Sequence, residues 1–141
     1  FKEKNIICVT GDGSFGFNAM EIDTAVKNQS NICVVISNNG GWNIEKHDQR
    51  LNYGNRVYAT SLAHSDYAAL AKSLGAYGVR VEDPEKLEQA LSEALNNTPS
   101  VVDVITSSTI LSSDATKGLG FVPKYQALDV WDDMEIEFRK K

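Results

Sequence analysis

Gly11-Asp12-Gly13 and, after 24 intervening residues, Asn38-Asn39-Gly40-Gly41 are the positions whose residue types and spacing could do chemistry. Glycines let backbone N–H groups come close to phosphate oxygens, and an Asp and an Asn supply hard oxygen ligands to a cation. Mg²⁺ fits such donors because it keeps octahedral geometry and much of its own water. The pairing is therefore what a site needs to hold a diphosphate and its metal together.

The elements that must position these residues can be read from the flanking pattern. Asn5-Ile6-Ile7-Cys8-Val9-Thr10 is a short apolar run that stops at glycine, and it reads as a buried strand of a parallel sheet. Asn18 is expected to cap the following helix, with Glu21 completing a capping box and Ile22, Ala25 and Val26 on one apolar face through about Gln29. Ile32-Cys33-Val34-Val35-Ile36 is a second buried strand, made parallel to the first by a right-handed crossover. A helix of about 12 residues spans roughly 18 Å, and a strand of about 7 residues roughly 23 Å. Asp12 and Asn39 should then emerge at the same carboxyl edge, where open α/β sheets bind ligands.

Gly11-x-Gly13-x-x-Gly16 also satisfies the dinucleotide fingerprint, so a NAD- or FAD-binding module of an oxidoreductase is a competing reading. That reading wants an acidic residue at the end of the second strand for the ribose hydroxyls, where this chain has Ser37-Asn38-Asn39. An acidic residue between the first two glycines would also face a pyrophosphate, which makes sense with a metal between them. A bare structural turn, in an interaction domain that merely keeps the fold, is the third reading.

Composition bounds the rest. With 141 residues, 42% hydrophobic and 23% charged, the chain has enough apolar surface for one α/β domain with a core. A net charge of −5 with scattered Lys and Arg argues against nucleic acid. Cys8 and Cys33 lie in apolar strands and read as buried free thiols in a reducing cytoplasm. Neither a secretory leader nor a membrane-length apolar run is visible, so no membrane partner and a cytoplasmic location are expected. The abrupt entry from Phe1-Lys2-Glu3-Lys4 into a strand is expected of a fragment that lacks an N-terminal element.

Further along, Ser65 or Asp66 should cap a helix that Gly75 ends, with Tyr67, Leu70, Ala71 and Leu74 on one stripe. Ala76–Val81 reads as a strand. Asp83-Pro84 opens a helix carrying Leu87, Ala90, Leu91, Ala94 and Leu95 on one face, and Ser100–Thr106 is another strand. The expected division is an α/β domain over residues 1–124 and a C-terminal helix or tail over 125–141. Together these give a parallel β-sheet flanked by helices on both faces.

Three segments carry a family resemblance: Gly11–Ile22, Asn38–Glu45, and Val122–Leu128 with Trp131-Asp132-Asp133. They resemble the C-terminal, diphosphate-binding domain of thiamine-diphosphate enzymes of the acetolactate synthase and pyruvate decarboxylase superfamily. The resemblance implies thiamine diphosphate and Mg²⁺ as cofactors and a 2-oxo acid as substrate. Carried over by motif position, the metal ligands would be Asp12, Asn39 and the Gly41 carbonyl. Gly11, Gly13 and Ser14 would surround the diphosphate, and Trp42, Asn43 and Ile44 fall at positions that contact the same group. Glu45 matches a glutamate that pyruvate decarboxylases place near the thiazolium ring for proton transfer, and it is the candidate catalytic residue. Acetolactate synthases usually differ there, and a helix start also favours an acidic residue. His47, two residues on, could face the same site or be an ordinary surface histidine. The resemblance further implies a homo-oligomer in which a partner subunit's pyrimidine-binding domain supplies the base that activates the cofactor.

Overall fold

The apolar runs become parallel strands because each is closed by glycine, asparagine or a polar turn and successive strands are joined through helices. In the computed structural model, which describes residues 3–111, 137 and 138, the strands are β1 (Ile6–Gly11), β2 (Ile32–Asn38), β3 (Tyr77–Val81) and β4 (Ser100–Ile105). Their order is β1-β2-β4-β3, with every neighbouring pair parallel. Helices α1 (Asp12–Phe17) and α2 (Glu21–Lys27) join β1 to β2. Helices α3 (Asn43–Asn52) and α4 (Tyr67–Ser73) lie between β2 and β3, and a 3₁₀ turn at Pro84–Lys86 leads into α5 (Leu87–Asn96) before β4. The chain divides into two compact units. One runs to Gly41 and resumes at Leu62–Ser108, and the other holds Trp42–Ser61 and the described residues from Thr109 onward.

Within the first unit helices lie on both faces of the sheet, as the α/β reading expects. Val34, Ile36 and Val101 meet Phe15, Ile22, Tyr67 and Ala71 from α1, α2 and α4 on one side. Cys33, Val81 and Val102 meet Ala90 and Ala94 of α5 on the other. Phe15 and Tyr67 pack edge to face with centroids 5.2 Å apart, the geometry that aromatic quadrupoles favour. Asp66 caps α4 by accepting from the Ala69 N–H at 2.8 Å, and Gly75 leaves the helix with φ +88°. The helix after β3 begins as expected too, with the Asp83 carboxylate accepting from the Glu85 N–H at 3.0 Å and Pro84 in the first turn.

Three expectations are corrected. First, β1 is not buried: Ile7 is 53% and Val9 74% exposed. It is an edge strand, and its register pairs Ile7 with Cys33 and Val9 with Val35, which turns both side chains toward the α5 side of the sheet. Helix α5 packs on β4, β3 and β2, so among the described residues no helix covers β1 there. Second, Cys8, which pairs with Val34 on the opposite face of the same edge strand, is exposed too, while Cys33 is buried as expected. Third, Asn18 does not cap the following helix. It ends α1, donating its N–H to the Phe15 carbonyl at 3.0 Å and accepting from the Glu21 N–H at 2.9 Å, and α2 starts without a side-chain cap. The helix expected over Asn18–Gln29 is the shorter Glu21–Lys27, and a further short helix precedes it, beginning at Asp12 itself.

The boundary expected between residues 124 and 125 lies outside the described residues, as does most of the segment after it; there Glu137 and Phe138 are helical.

Gly78 shows where packing leaves no room. It lies on β3 under α4, and a Cβ there would overlap the Ala68 main-chain carbonyl. The obstacle is backbone and cannot rotate away. Gly78→Ala should therefore cost at least the ~1–3 kcal/mol typical of overpacking, read as a lowered melting temperature. An unchanged melt would show that α4 does not sit this close to β3.

Candidate functional site

β1 and β2 run in register, with Gly11 opposite Ser37, so their ends deliver Asp12 and Asn38-Asn39 to one edge of the sheet. Asp12 is the first residue of α1 and only 2% exposed. Its Oδ2 accepts from the Gly41 N–H at 3.0 Å. The sequence-predicted pair is thus brought into direct contact: the carboxylate after the first strand holds the loop after the second. Tyr67 lies behind it and donates its hydroxyl to the Asp12 carbonyl at 3.4 Å. Burial, followed by the negative charge of Asp12, holds this phenol above its ordinary pKa, so it remains a donor.

The loop itself is fixed by Gly40, which adopts φ +69°, and its carbonyl accepts from the Leu62 N–H at 2.9 Å. The His64 imidazole packs against Gly40 where any side chain would have to go. Both facts require glycine at this position. Beside it, Asn39 Oδ1 is buried without a hydrogen-bond partner among the described residues, and so is Asn38 Oδ1. Buried polar atoms are normally paired, so these two orphan carbonyl oxygens, on residues at the same end of the sheet as the buried Asp12 carboxylate, could each accept from a donor or hold a cation. Neither ion pair of Arg80, with Glu82 at 3.0 Å and with Asp103 at 3.2 Å, involves Asp12. Among the described residues no three His, Cys, Asp or Glu side chains form a metal cluster. The donors at this edge are one carboxylate, amide oxygens and backbone, a hard all-oxygen set of the kind Mg²⁺ prefers over softer metals.

Gly11, Gly13 and Ser14 surround the start of α1. A Cβ built on Gly11 would meet nothing within 4 Å, so the strand end opens onto free space. Gly13 is buried and Ser14 exposed. Their N–H groups fall in the first helical turn, which has no intrahelical acceptors.

Trp42, Asn43, Ile44 and Glu45 belong to the second unit. Trp42 precedes α3 and donates its N–H to the Thr60 carbonyl at 2.8 Å. Asn43, Ile44 and Glu45 form the first turn of α3, with Ile44 and Glu45 exposed. Glu45 lines a groove of about 550 Å³ with Asp48, Gln49, Tyr53, Arg56 and Tyr58. Gln49 shapes it by bonding Tyr58 twice through the main chain, accepting its N–H at 2.8 Å and donating to its carbonyl at 3.3 Å. His47 is half-buried on the same helix. Desolvation, then the positive charges of Arg50 and Lys46, hold its imidazole below the usual pKa, so it is neutral near pH 7.

Sequence reasoning missed one buried group behind this edge. Asp103 on β4 is fully buried and gathers Asn38, Tyr67 and Arg80 around its carboxylate. The available signal was a carboxylate within Val101-Val102-Asp103-Val104-Ile105, where a strand buried on both faces should be apolar.

No helix among the described residues is long and apolar enough to cross a membrane. Residues 1–104 match the family described as thiamine pyrophosphate enzyme, C-terminal TPP binding domain. The chain is 36% identical over 109 residues to an acetolactate synthase large subunit of Mycobacterium tuberculosis, covering 77% of this chain and 20% of that protein. It is 33% identical over 130 residues to the acetolactate synthase of Bacillus subtilis, covering 89% of this chain and 23% of the relative. Among solved structures, the benzoylformate decarboxylase of Polynucleobacter necessarius superposes with a TM-score of 0.70 at 27% identity, over 77% of this chain and 20% of that one. The chain spans about a fifth of the length of these relatives. With its parallel sheet, its glycine-flanked Asp12 and its Asn38-Asn39 turn, the chain belongs to the C-terminal thiamine diphosphate-binding domains of the thiamine pyrophosphate enzymes.

Proposed function

We propose that this domain anchors thiamine diphosphate through Mg²⁺ in a 2-oxo-acid decarboxylase or carboligase of acetolactate synthase type. The observation that carries the reading is the orphan Asn39 Oδ1 at the same sheet edge as the buried Asp12 carboxylate, which already grips the Gly41 N–H. In this reading Asp12, Asn39 Oδ1 and the Gly41 carbonyl are the metal ligands. The metal offsets the charge of the buried carboxylate and of the diphosphate together. Gly11, Gly13 and Ser14 give the diphosphate backbone donors and close approach, and Trp42, Asn43 and Ile44 add contacts from the start of α3. Glu45, on that same turn, is the proton-transfer residue.

The bound cofactor supplies an electron sink for cleavage next to a 2-oxo acid's carbonyl. What this chain does is bind, orient and neutralise charge. The base that activates the cofactor comes from the pyrimidine-binding domain of a partner subunit, which makes the working enzyme a homo-oligomer, a cytoplasmic one in this reading.

The dinucleotide reading loses ground on a specific feature. β2 ends in Asn38, whose amide is committed to Asp103 and Ser65, and offers no carboxylate for ribose hydroxyls. Titration calorimetry of the full-length protein separates the readings. Thiamine diphosphate should bind with Mg²⁺ present and far more weakly once the metal is chelated. Equal affinity without metal, or binding of NAD in its place, would remove the assignment.

A further inference from the structure

We infer that Asp103 is a positioning residue for the metal and diphosphate site, acting through the side-chain amide of Asn38. The inference rests on the reading of Asp12 and Asn39 as metal ligands and goes beyond it to a residue on a third strand.

Asp103 lies within β4, a strand away from Asp12, and its side chain is 0% exposed. A charge so placed must be fully occupied by donors. Oδ1 accepts from Asn38 Nδ2 at 2.9 Å, and Oδ2 accepts from the Tyr67 N–H at 3.1 Å and from Arg80 Nη1 at 3.2 Å. The second hydrogen of Asn38 Nδ2 goes to the Ser65 carbonyl at 3.1 Å.

This arrangement decides which way the Asn38 amide points. A primary amide has two N–H donors on one side and a carbonyl oxygen on the other. Both donors of Asn38 meet acceptors that cannot donate in return, a carboxylate and a backbone carbonyl. Turning the amide over would set its own oxygen against both and leave them unpaired in the interior, where unmet polar groups are most costly. Asn38 Oδ1 is thereby fixed on the far side, where it is buried and has no partner among the described residues. The main chain is held from the same strand end, since the Asn38 carbonyl accepts from the Thr106 N–H at 2.9 Å. One carboxylate of β4 thus sets the orientation of the residue immediately before Asn39. Arg80 and the Tyr67 N–H hold that carboxylate still.

Partners that orient metal ligands typically account for roughly 10- to 100-fold in metal affinity. Asp103→Asn keeps the size of the group and replaces one acceptor oxygen by a donor that must face Asn38, the Tyr67 N–H or Arg80. In the full-length protein, the Mg²⁺ concentration for half-maximal thiamine diphosphate binding, read by calorimetry, should rise roughly 10-fold or more. Val102→Ala is the comparison: it also disturbs the interior of β4, but in the cluster facing α5, and should lower the melting temperature without changing the Mg²⁺ requirement. Asp103→Glu keeps the charge and displaces the acceptor by one methylene; it carries the test should the Asn variant not fold, with the same rise expected. A folded Asp103 variant whose Mg²⁺ requirement matches wild type or Val102→Ala would overturn the inference. Asp12→Ala, measured alongside, shows which reading failed. If it too leaves the requirement unchanged, the metal assignment falls and this inference with it. If it abolishes Mg²⁺-dependent binding while Asp103→Asn does not differ from Val102→Ala, only the role of Asp103 falls.

Discussion

Asp12→Ala is expected to lower the Mg²⁺-dependent affinity of the full-length protein for thiamine diphosphate by at least ~100-fold. The residue is nearly inaccessible to solvent, and its only described carboxylate partner is the Gly41 N–H. On the proposed reading its negative charge is matched by the metal, and the metal in turn matches the diphosphate. Removing one member of a desolvated charge pair typically costs ~3–5 kcal/mol, because the other is left uncompensated. At about 1.4 kcal/mol per decade, that is ~10²- to 10³-fold or more. The loop after β2 would also lose its tether at Gly41, so ligand and scaffold fail together. Asn39→Ala should act in the same direction with a smaller effect, since a neutral oxygen is lost. Cofactor affinity that is the same with and without Asp12, at saturating Mg²⁺ and with the fold intact by circular dichroism, would end the metal assignment.

Much of this arrangement was legible because it depends on local pattern. Two consecutive apolar runs joined by a helical crossover must be parallel and of similar length, which places Asp12 and Asn39 at one edge. Asp66, Gly75 and Asp83 end or begin helices by short-range hydrogen bonding and backbone conformation, and the structure bears these out. What failed depends on neighbours far away in sequence. The run Ile6–Val9 has the apolar composition of a covered strand, yet cover is decided by sheet order and by the reach of α5, neither of which is written in those residues. Asn18 and Glu21 carry the residue types of a capping box, but a helix that starts at Asp12 uses Asn18 to close it. Composition cannot say which of two helices an asparagine serves. Asp103 is the more instructive omission. Its partners come from the end of β2, the start of α4 and the middle of β3, so its role exists only after the sheet has assembled.

Glu45→Gln in the full-length enzyme is expected to slow turnover at least ~100-fold, the lower end of what general acid–base groups contribute, with cofactor affinity nearly unchanged. The side chain stands on the exposed first turn of α3, beside a groove lined by Tyr53, Tyr58 and Arg56. The substitution keeps the shape of the group and removes its negative charge and its ability to carry a proton. Binding and proton transfer are thereby separated. A residue that merely favours the positive end of the α3 dipole would lose ~0.3–1 kcal/mol of stability in the glutamine variant and nothing in rate. A residue that moves a proton would lose rate and almost no stability. The two outcomes also bear on which chemistry the enzyme performs. Decarboxylation to an aldehyde needs a proton delivered to the carbon left behind, so a collapse confined to aldehyde release favours a pyruvate decarboxylase-like course, whereas one that extends to carbon–carbon bond formation keeps Glu45 as the proton-transfer residue of an acetolactate synthase-like enzyme. Carboligation captures that carbon with a second carbonyl group instead, so unimpaired formation of the carbon–carbon bond in the variant, with aldehyde release unimpaired too, would make Glu45 a helix-start residue and favour the acetolactate synthase-like course.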